Sequence, residues 1–386
     1  MKRYLVDSHV HLGATEDGAP IKIGAGRTLT LSRILGRLPL RGVDVCAVVD
    51  LGTTRGLGEL ERALATGLLA EAEDGGLRGA EGAVLVPALE AEFRLPGAGP
   101  FHLLAYAPGL DGARELHRIY REGVKNPNLS TQRVHMAPQE FLRAVESAGG
   151  VLAVAHAFTP HRGLFGVGLT LEDALPERSL LGLELGLSAD VEIARQVGAV
   201  GDCGLLGGSD AHGPDTIGRE MNELQGERPG FSLLVRLCGG KAETIFGMHP
   251  AFGKYHRTYC LACARTVEAP APVLSCPADP HHRVVPGVLD RALSMAPPER
   301  QRGYPAYRYQ LPLGLLPGFG PAARRAIATR LGSEHEALHA ASEDELRASL
   351  GDARAEAILS MRRGAMPSRP GGGGHWGRFA RPTHGA

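Results

Sequence analysis

The stretch Tyr4-Leu5-Val6-Asp7-Ser8-His9-Val10-His11 carries an apolar, strand-like run into two histidines one residue apart. Residues i and i+2 of a strand point to the same face, so His9 and His11 present their imidazoles side by side at the strand's end. That placement suits a shared divalent metal. A second pair, Asp210-Ala211-His212, follows Leu205-Leu206-Gly207-Gly208-Ser209 far downstream. Two short ligand pairs, each closing a strand-like run, predict a metal-centred hydrolase.

Outward from these pairs, the first 250 residues alternate apolar runs with amphipathic stretches. Strands are predicted over 3–6, 43–50, 83–89, 101–106, 151–155, 181–185 and 204–207, and helices over 57–73, 111–122, 138–148 and 189–197. Alternation of this kind predicts parallel βαβ units in an α/β fold, and seven strands are compatible with a closed barrel. Metal-type side chains fall at or just beyond the carboxyl ends of the runs, where α/β barrels place their chemistry: Asp50, Glu90, His156 and Asp210. With His102 in Phe101-His102-Leu103-Leu104, the expected ligands are His9, His11, Glu90, His102, His156, Asp210 and His212. Asp50 is either a further ligand or a strand-end cap. Histidine with carboxylate suits Zn²⁺, Mn²⁺ or Fe²⁺, and a bridging carboxylate can hold two ions about 3.5–4 Å apart.

Lys plus Arg equals Asp plus Glu, at 42 each, but the charge is unevenly spread. From Arg283 onward there are 15 basic and 9 acidic residues, against 27 and 33 before it. A negative body with a positive tail fits an enzyme that holds a polyanion, although a solvated Arg-rich surface reads the same way. No stretch of 18 apolar residues and no leader-like segment is evident, so no membrane partner and a cytoplasmic, nucleoid-associated location are expected.

Cys46, Cys203 and Cys238 stand alone and read as inert thiols, whereas Cys260-x₂-Cys263-x₁₂-Cys276 has zinc-ribbon spacing up to its fourth ligand. Position 279, where a second Cys-x₂-Cys would end, is Asp; His281 is taken as the fourth ligand, with His282 or, less suited to a soft site, Asp279 as the alternatives. Such a site would be structural. Further on, Leu313-Gly314-Leu315-Leu316-Pro317-Gly318-Phe319-Gly320-Pro321 leads into Ala322-Ala323-Arg324-Arg325-Ala326-Ile327 and resembles a helix-hairpin-helix motif. Gly318 and Gly320 permit a tight turn, and Pro321 suits a first helical position. The free amides there can bind a DNA phosphate without reading the base, so Gly318, Phe319, Gly320, Arg324 and Arg325 are the expected DNA contacts. The resulting domains are a barrel over 1–250, a Cys-rich module over 251–295, a helical DNA-binding domain over 296–365 and a flexible Gly-rich tail over 366–386.

The pattern Asp-Ser-His-Val-His, Asp50, Glu90, His102, Ala155-His156 and Ser209-Asp210-Ala211-His212 resembles the polymerase and histidinol phosphatase (PHP) superfamily. Longer stretches resemble the endonuclease Q family: Ile21-Lys22-Ile23, Leu129-Ser130-Thr131-Gln132-Arg133, Glu184-Leu185-Gly186-Leu187-Ser188, Ile217-Gly218-Arg219-Glu220 and Gly253-Lys254-Tyr255-His256. The resemblance implies a distorted (β/α)7 barrel with two or three divalent metals (Zn²⁺, Mn²⁺ or Mg²⁺). It also implies cleavage of DNA on the 5′ side of uracil, hypoxanthine, xanthine or abasic sites. The implied catalytic set is His9, His11, Glu90, His156, Asp210 and His212. Arg133, Ser188, Arg219, Lys254 and His256 are candidates for a pocket that accepts an extruded base. One departure stands out: superfamily members carry a His near the aspartate of the second motif, whereas Asp50 is followed by Leu51-Gly52-Thr53-Thr54. That favours two metals and leaves His212 for a third ion or for acid/base and phosphate contact. Two other functions fit less of the chain: a small-molecule phosphatase, which has no use for duplex-binding parts, and a DNA-binding adaptor with an inactive barrel.

Overall fold

The first strand, β1 (Lys2–Val10), leaves Lys2 and Arg3 exposed and buries every residue from Val6 to Val10. Burial on both faces is the mark of a strand enclosed on both sides, and it places β1 at the centre of the molecule. The computed structural model describes residues 1–299, 302–316, 318–364 and 368–379. Pro317, within the expected hairpin motif, lies outside the described residues, as do residue 365 of the expected helical domain and 366–367 and 380–386 of the expected tail.

Seven strands make a curled wall. β1 pairs in parallel with β2 (Val45–Val48), and β2 with β3 (Val84–Arg94). β3 runs antiparallel to β4 (Pro100–Tyr106), and β4 antiparallel to β5 (Val151–Val154). β5, β6 (Leu181–Glu184) and β7 (Gly204–Leu206) are parallel again. The curl closes through one parallel bridge just past β7, Val10 to Ala211, where His11 N donates to Ala211 O at 3.0 Å and Ala211 N to His9 O at 3.3 Å. The seven strands are those expected and the α/β barrel is borne out, but the sheet is mixed rather than all parallel, because β4 reverses direction. Only residues 95–99 join β3 to β4. So short a connection makes a hairpin; a parallel crossover needs a dozen residues or more.

Helices α1 (Thr54–Ala65), α2 (Leu110–Gly123) and α3 (Pro138–Ser147) pack outside the wall. Thr53 caps α1 by accepting from Gly56 N at 3.0 Å. The helix expected over 57–73 stops early: Gly67 takes φ 73°, and a small hairpin, Leu69–Glu71 with Leu77–Gly79, follows.

Three strands that the alternation did not reveal extend β1 on its other side. β8 (Met221–Gly226) is antiparallel to β1, β9 (Thr244–Gly247) antiparallel to β8, and β10 (Ala306–Tyr309) parallel to β9. Because β10 comes from beyond the Cys-rich module, the region after 296 is stitched into the barrel sheet. The helices α4 (Pro321–Leu331), α5 (Glu334–His339), α6 (Glu343–Leu350) and α7 (Asp352–Arg362) then share one apolar cluster, which includes Phe319, Ile327, Leu346 and Ile358. Met248 and Phe252, just after β9, belong to the same cluster, so the helical region is docked on the barrel. Among the described residues no helix is long and apolar enough to cross a membrane.

Candidate metal centre

The carboxyl ends of the parallel barrel strands, with the amino half of the reversed β4 that carries His102, bring seven side chains to one rim. β1 projects His9 and His11 together, with their Nε2 atoms 3.3 Å apart. Asp210, at the closure beyond β7, places Oδ1 3.6 Å from His9 Nε2 and 3.3 Å from His11 Nε2. Glu90 on β3 lies at the centre: Oε1 is 2.7 Å from His102 Nδ1 and 3.3 Å from His156 Nε2, and Oε2 is 3.5 Å from His11 Nε2. Donor atoms within 4.8 Å of one another form three overlapping groups: His9, His11 and Glu90; Glu90, His102 and His156; and His11, Asp210 and His212. All seven expected ligands are thereby gathered.

Two backbone features mark the rim as built for these contacts. His156 and Asp210 take φ of 29° and 44°, a left-handed conformation that costs a non-glycine residue about 1–3 kcal/mol and clusters at functional sites. Gly208 lies so close to His9 that a Cβ there would sit 2.8 Å from the His9 Cβ and 2.5 Å from Glu184 Oε1. Only glycine lets that loop approach.

Behind the rim, carboxylates fix the imidazoles. Glu184 Oε2 accepts from His9 Nδ1 at 3.0 Å and from His156 N at 3.0 Å, so one side chain orients two of the candidate ligands. Glu184 was not singled out from sequence, although its place at the end of β6 repeats the position of Glu90 and Asp50 on their strands. Asp50 corrects the expectation of a ligand. Its Oδ2 accepts from His11 Nδ1 at 3.0 Å and from Leu12 N at 2.6 Å, and its Oδ1 is bonded by Ser130 Oγ. Its oxygens are therefore spent behind His11, holding the Nε2 atom inward, as carboxylates do behind metal-binding histidines. Lys22 was also missed: its Nζ lies 2.9 Å from Glu90 Oε2, and Thr131 Oγ1 donates to the same oxygen at 2.5 Å.

The electrostatics fit a cation. Burial pushes the Glu90 carboxyl up, but Lys22 and His102 outweigh it and hold it well below the usual carboxylate range. Burial likewise raises Asp210, and the hydrogen bond from His11 with the charges of His9 and His212 reverses the sign. Two ionised carboxylates and inward-turned imidazoles in a space largely closed to water are the donors that a divalent ion needs.

Beside the rim opens a cleft of about 830 Å³ lined by His156, Asp210, His212, Ser188, Arg219 and Lys254, among others. Of the expected pocket residues, Ser188, Arg219 and Lys254 are there. Arg219 also braces the rim, donating from Nε to Ser209 O at 2.7 Å. Arg133 is exposed and lies outside the cleft, and His256 faces a different hollow with Asp190 and His249, which corrects both expectations.

In the Cys-rich module, a three-stranded sheet (Arg265–Thr266, Tyr259–Cys260, Val284–Val285) presents Cys260, Cys263, Cys276 and His282 to one point. Cys263 Sγ is 3.7 Å from Cys276 Sγ and 3.5 Å from His282 Nδ1. Zinc bonds of about 2.1–2.3 Å in a tetrahedron require donor separations of about 3.5–3.8 Å, so the four fit one ion. The fourth donor is His282, not His281. Asp279 Oδ1 accepts from the His281 amide, starting a turn that presents the following imidazole to the sulfurs.

The helix-hairpin-helix region also separates its candidates. Gly318 (φ 85°) and Gly320 are exposed at the amino end of α4, where no side chain caps the helix, and Arg325 is exposed one turn in. Phe319, 3% exposed, belongs to the apolar core, and Arg324 is buried against Asp215, Nη1 to Oδ1 at 3.0 Å. These two are structural: Phe319 packs in the apolar cluster just before α4 begins, and Arg324 lies on the face of α4 turned to the barrel.

A curled α/β barrel with a histidine–carboxylate cluster at its carboxyl rim, a Cys₃His module and a docked helical region defines the class of protein. The same fold is found over the whole chain in two solved structures. One is the lesion-specific endonuclease PfuEndoQ from Pyrococcus furiosus, with TM-score 0.83, 23% identity, and 99% of this chain and 96% of that one covered. The other is endonuclease Q in complex with a 27-mer duplex substrate with an abasic lesion at the active site, with TM-score 0.83, 24% identity, and 99% and 97% covered. The chain belongs to the family of YqxK, an uncharacterized protein of Bacillus subtilis (strain 168), to which it is 30% identical over 98% of its own length and 100% of that protein's. The uncharacterized protein MJ0043 of Methanocaldococcus jannaschii is 28% identical over 58% of this chain and 31% of that one. No family model matches the chain.

Proposed function

We propose that the chain is a metal-dependent DNA endonuclease of repair, hydrolysing the phosphodiester on the 5′ side of deaminated bases or abasic sites in duplex DNA. The observation that carries this reading is Glu90, whose two oxygens face imidazoles of three different strands at the mouth of one cleft. Its support is the whole-chain fold shared with a lesion-specific endonuclease and with an enzyme bound to a lesion-bearing duplex.

In this reading His9, His11, Glu90, His102, His156, Asp210 and His212 hold the divalent metals, two or three in number and Zn²⁺, Mn²⁺ or Mg²⁺ in kind. Bound there, the ions supply a water nucleophile near neutral pH and offset the charge that builds on the transferring phosphoryl group. Glu184 and Asp50 keep His9 and His11 turned inward. Lys22 offsets the charge of Glu90 on the side away from His102. His212 borders both rim and cleft, where its imidazole can meet a phosphate oxygen or pass a proton to the leaving oxygen. Cys260, Cys263, Cys276 and His282 hold a structural zinc. The amides at Gly318 and Gly320 with Arg325 add phosphate contacts that carry no sequence information.

The test is incubation of the purified chain, with each metal in turn, on duplexes carrying uracil, hypoxanthine, xanthine or an abasic site, beside an undamaged duplex and a panel of phosphate monoesters. Nicking 5′ to a lesion, abolished in Asp210→Asn, is the expected result. Phosphate release from monoesters alone would make the chain a phosphatase, and duplex binding without cleavage would make it an adaptor.

A further inference from the structure

The run Gly371–Gly374, which composition marks as a slack tail, is tightly packed. A Cβ at 371 would lie 2.2 Å from the Gly253 carbonyl oxygen, and one at 373 would lie 2.4 Å from the Tyr259 ring. Glycine is present here because nothing larger fits. Backbone hydrogen bonds pin the turn at both ends to the 251–257 loop: Gly371 N to Ala251 O at 2.8 Å, Arg257 N to Gly371 O at 3.1 Å, Gly374 N to Lys254 O at 3.0 Å and Gly377 N to Phe252 O at 2.9 Å. The expectation of a flexible tail is therefore corrected for residues 371–377.

This strap brings Trp376, the single tryptophan of the chain, to the wall of the cleft that opens on the metal rim. Trp376 is 41% exposed, and the Lys254 ammonium lies 5.0 Å from the centroid of its ring. Tyr255 lines the same cleft, as do His156, Asp210 and His212 of the metal rim. One cleft thus joins the candidate phosphate chemistry to a flat aromatic surface with a cation beside it.

Resting on the nuclease reading above, we propose that Trp376 is a specificity residue: its indole stacks on the extruded base of the damaged nucleotide, while Lys254 meets the adjoining phosphate. Stacking on an indole tolerates any base, so it secures uracil, hypoxanthine and xanthine alike, and it has nothing to act on at an abasic site. The strap supplies the rigidity that stacking needs, since an ordered ring loses little entropy when a base settles on it.

The full chain with Trp376→Leu is compared with the unsubstituted chain on matched duplexes carrying hypoxanthine or an abasic site. The ratio of kcat/KM for hypoxanthine to that for the abasic site is expected to fall by about 5- to 100-fold, the range for loss of one base–aromatic stack. An unchanged ratio, whether both activities persist or both decline together, overturns the proposal. A chain that cuts neither duplex before substitution overturns the nuclease reading instead. A second measurement leaves the indole in place. In the Asp210→Asn chain, Trp376 fluorescence is titrated with hypoxanthine-containing, abasic and undamaged duplexes while binding is followed by the anisotropy of labelled DNA. Quenching by the hypoxanthine duplex beyond that by the abasic duplex is expected; equal emission at saturated binding overturns the stack.

Discussion

Glu184 reaches two candidate ligands at once from behind the rim, because one of its oxygens fixes both the His9 ring and the backbone of His156. Replacing it by Gln keeps the shape but puts an N–H or a weaker acceptor where the His9 Nδ1 proton must go. Glu184→Gln is expected to weaken metal retention by about 10- to 100-fold, with the fold intact, as measured by metal titration and circular dichroism. His9, His11, Asp210 and His212 were legible from sequence because a two-residue spacing on a strand leaves one geometric outcome. Asp50 was not separable from a ligand, since a carboxylate at a strand's end can face the rim or lie behind it. Only the positions of Leu12 N and Ser130 Oγ decide between them, and these come from segments 38 and 80 residues away. Lys22 was hidden for the same reason: nothing in a lone lysine of a loop foretells contact with Glu90.

At the scale of elements, a strand's existence was easier to read than its direction. All seven barrel strands follow from apolar runs, yet the reversal of β4 depends on the length of residues 95–99, a feature that the alternation of runs does not weigh. β8 and β10 escaped because Met221–Gly226 has no apolar run, with Asn222 and Glu223 adjacent and Gln225 following Leu224, and Ala306–Tyr309 leaves most of its side chains in solvent. The Cys-rich module shows a similar limit. Spacing located three sulfurs, but two adjacent histidines could be told apart only by the turn at Asp279. His282→Ala is expected to lose one zinc per chain and to melt at lower temperature, whereas His281→Ala keeps the ion. Elemental analysis alongside thermal unfolding reads both outcomes.

For the molecule as a whole, the helical region is fastened to the barrel by β10, by Met248 and Phe252 in a shared core, by the buried ion pair Arg41–Glu334, and by Arg324, whose buried guanidinium meets the exposed Asp215. Arg324 and Arg325 therefore answer to different forces although they are neighbours. Arg325→Ala is expected to weaken duplex binding equally for damaged and undamaged DNA and to lower the slope of log K against log salt by about 1. Arg324→Ala should leave that slope unchanged and cost about 1–3 kcal/mol of stability, read from denaturant unfolding. Sequence foresaw the helix-hairpin-helix turn but not which face of its helix was already occupied. That depends on Asp215, more than a hundred residues away along the chain.

The bridge between Val10 and Ala211 is the place where the barrel comes full circle, and its flanking residues are His9, His11, Asp210 and His212. The first and last barrel strands are thus joined by the same few residues that would grip the ions. A cation shared between His9 or His11 and Asp210 acts as a rivet across that join, and its affinity adds directly to the resistance of the rim against springing open. Chelation would then do more than silence chemistry: it would unfasten the hoop, so that loss of the ions and loosening of the first strand become one event.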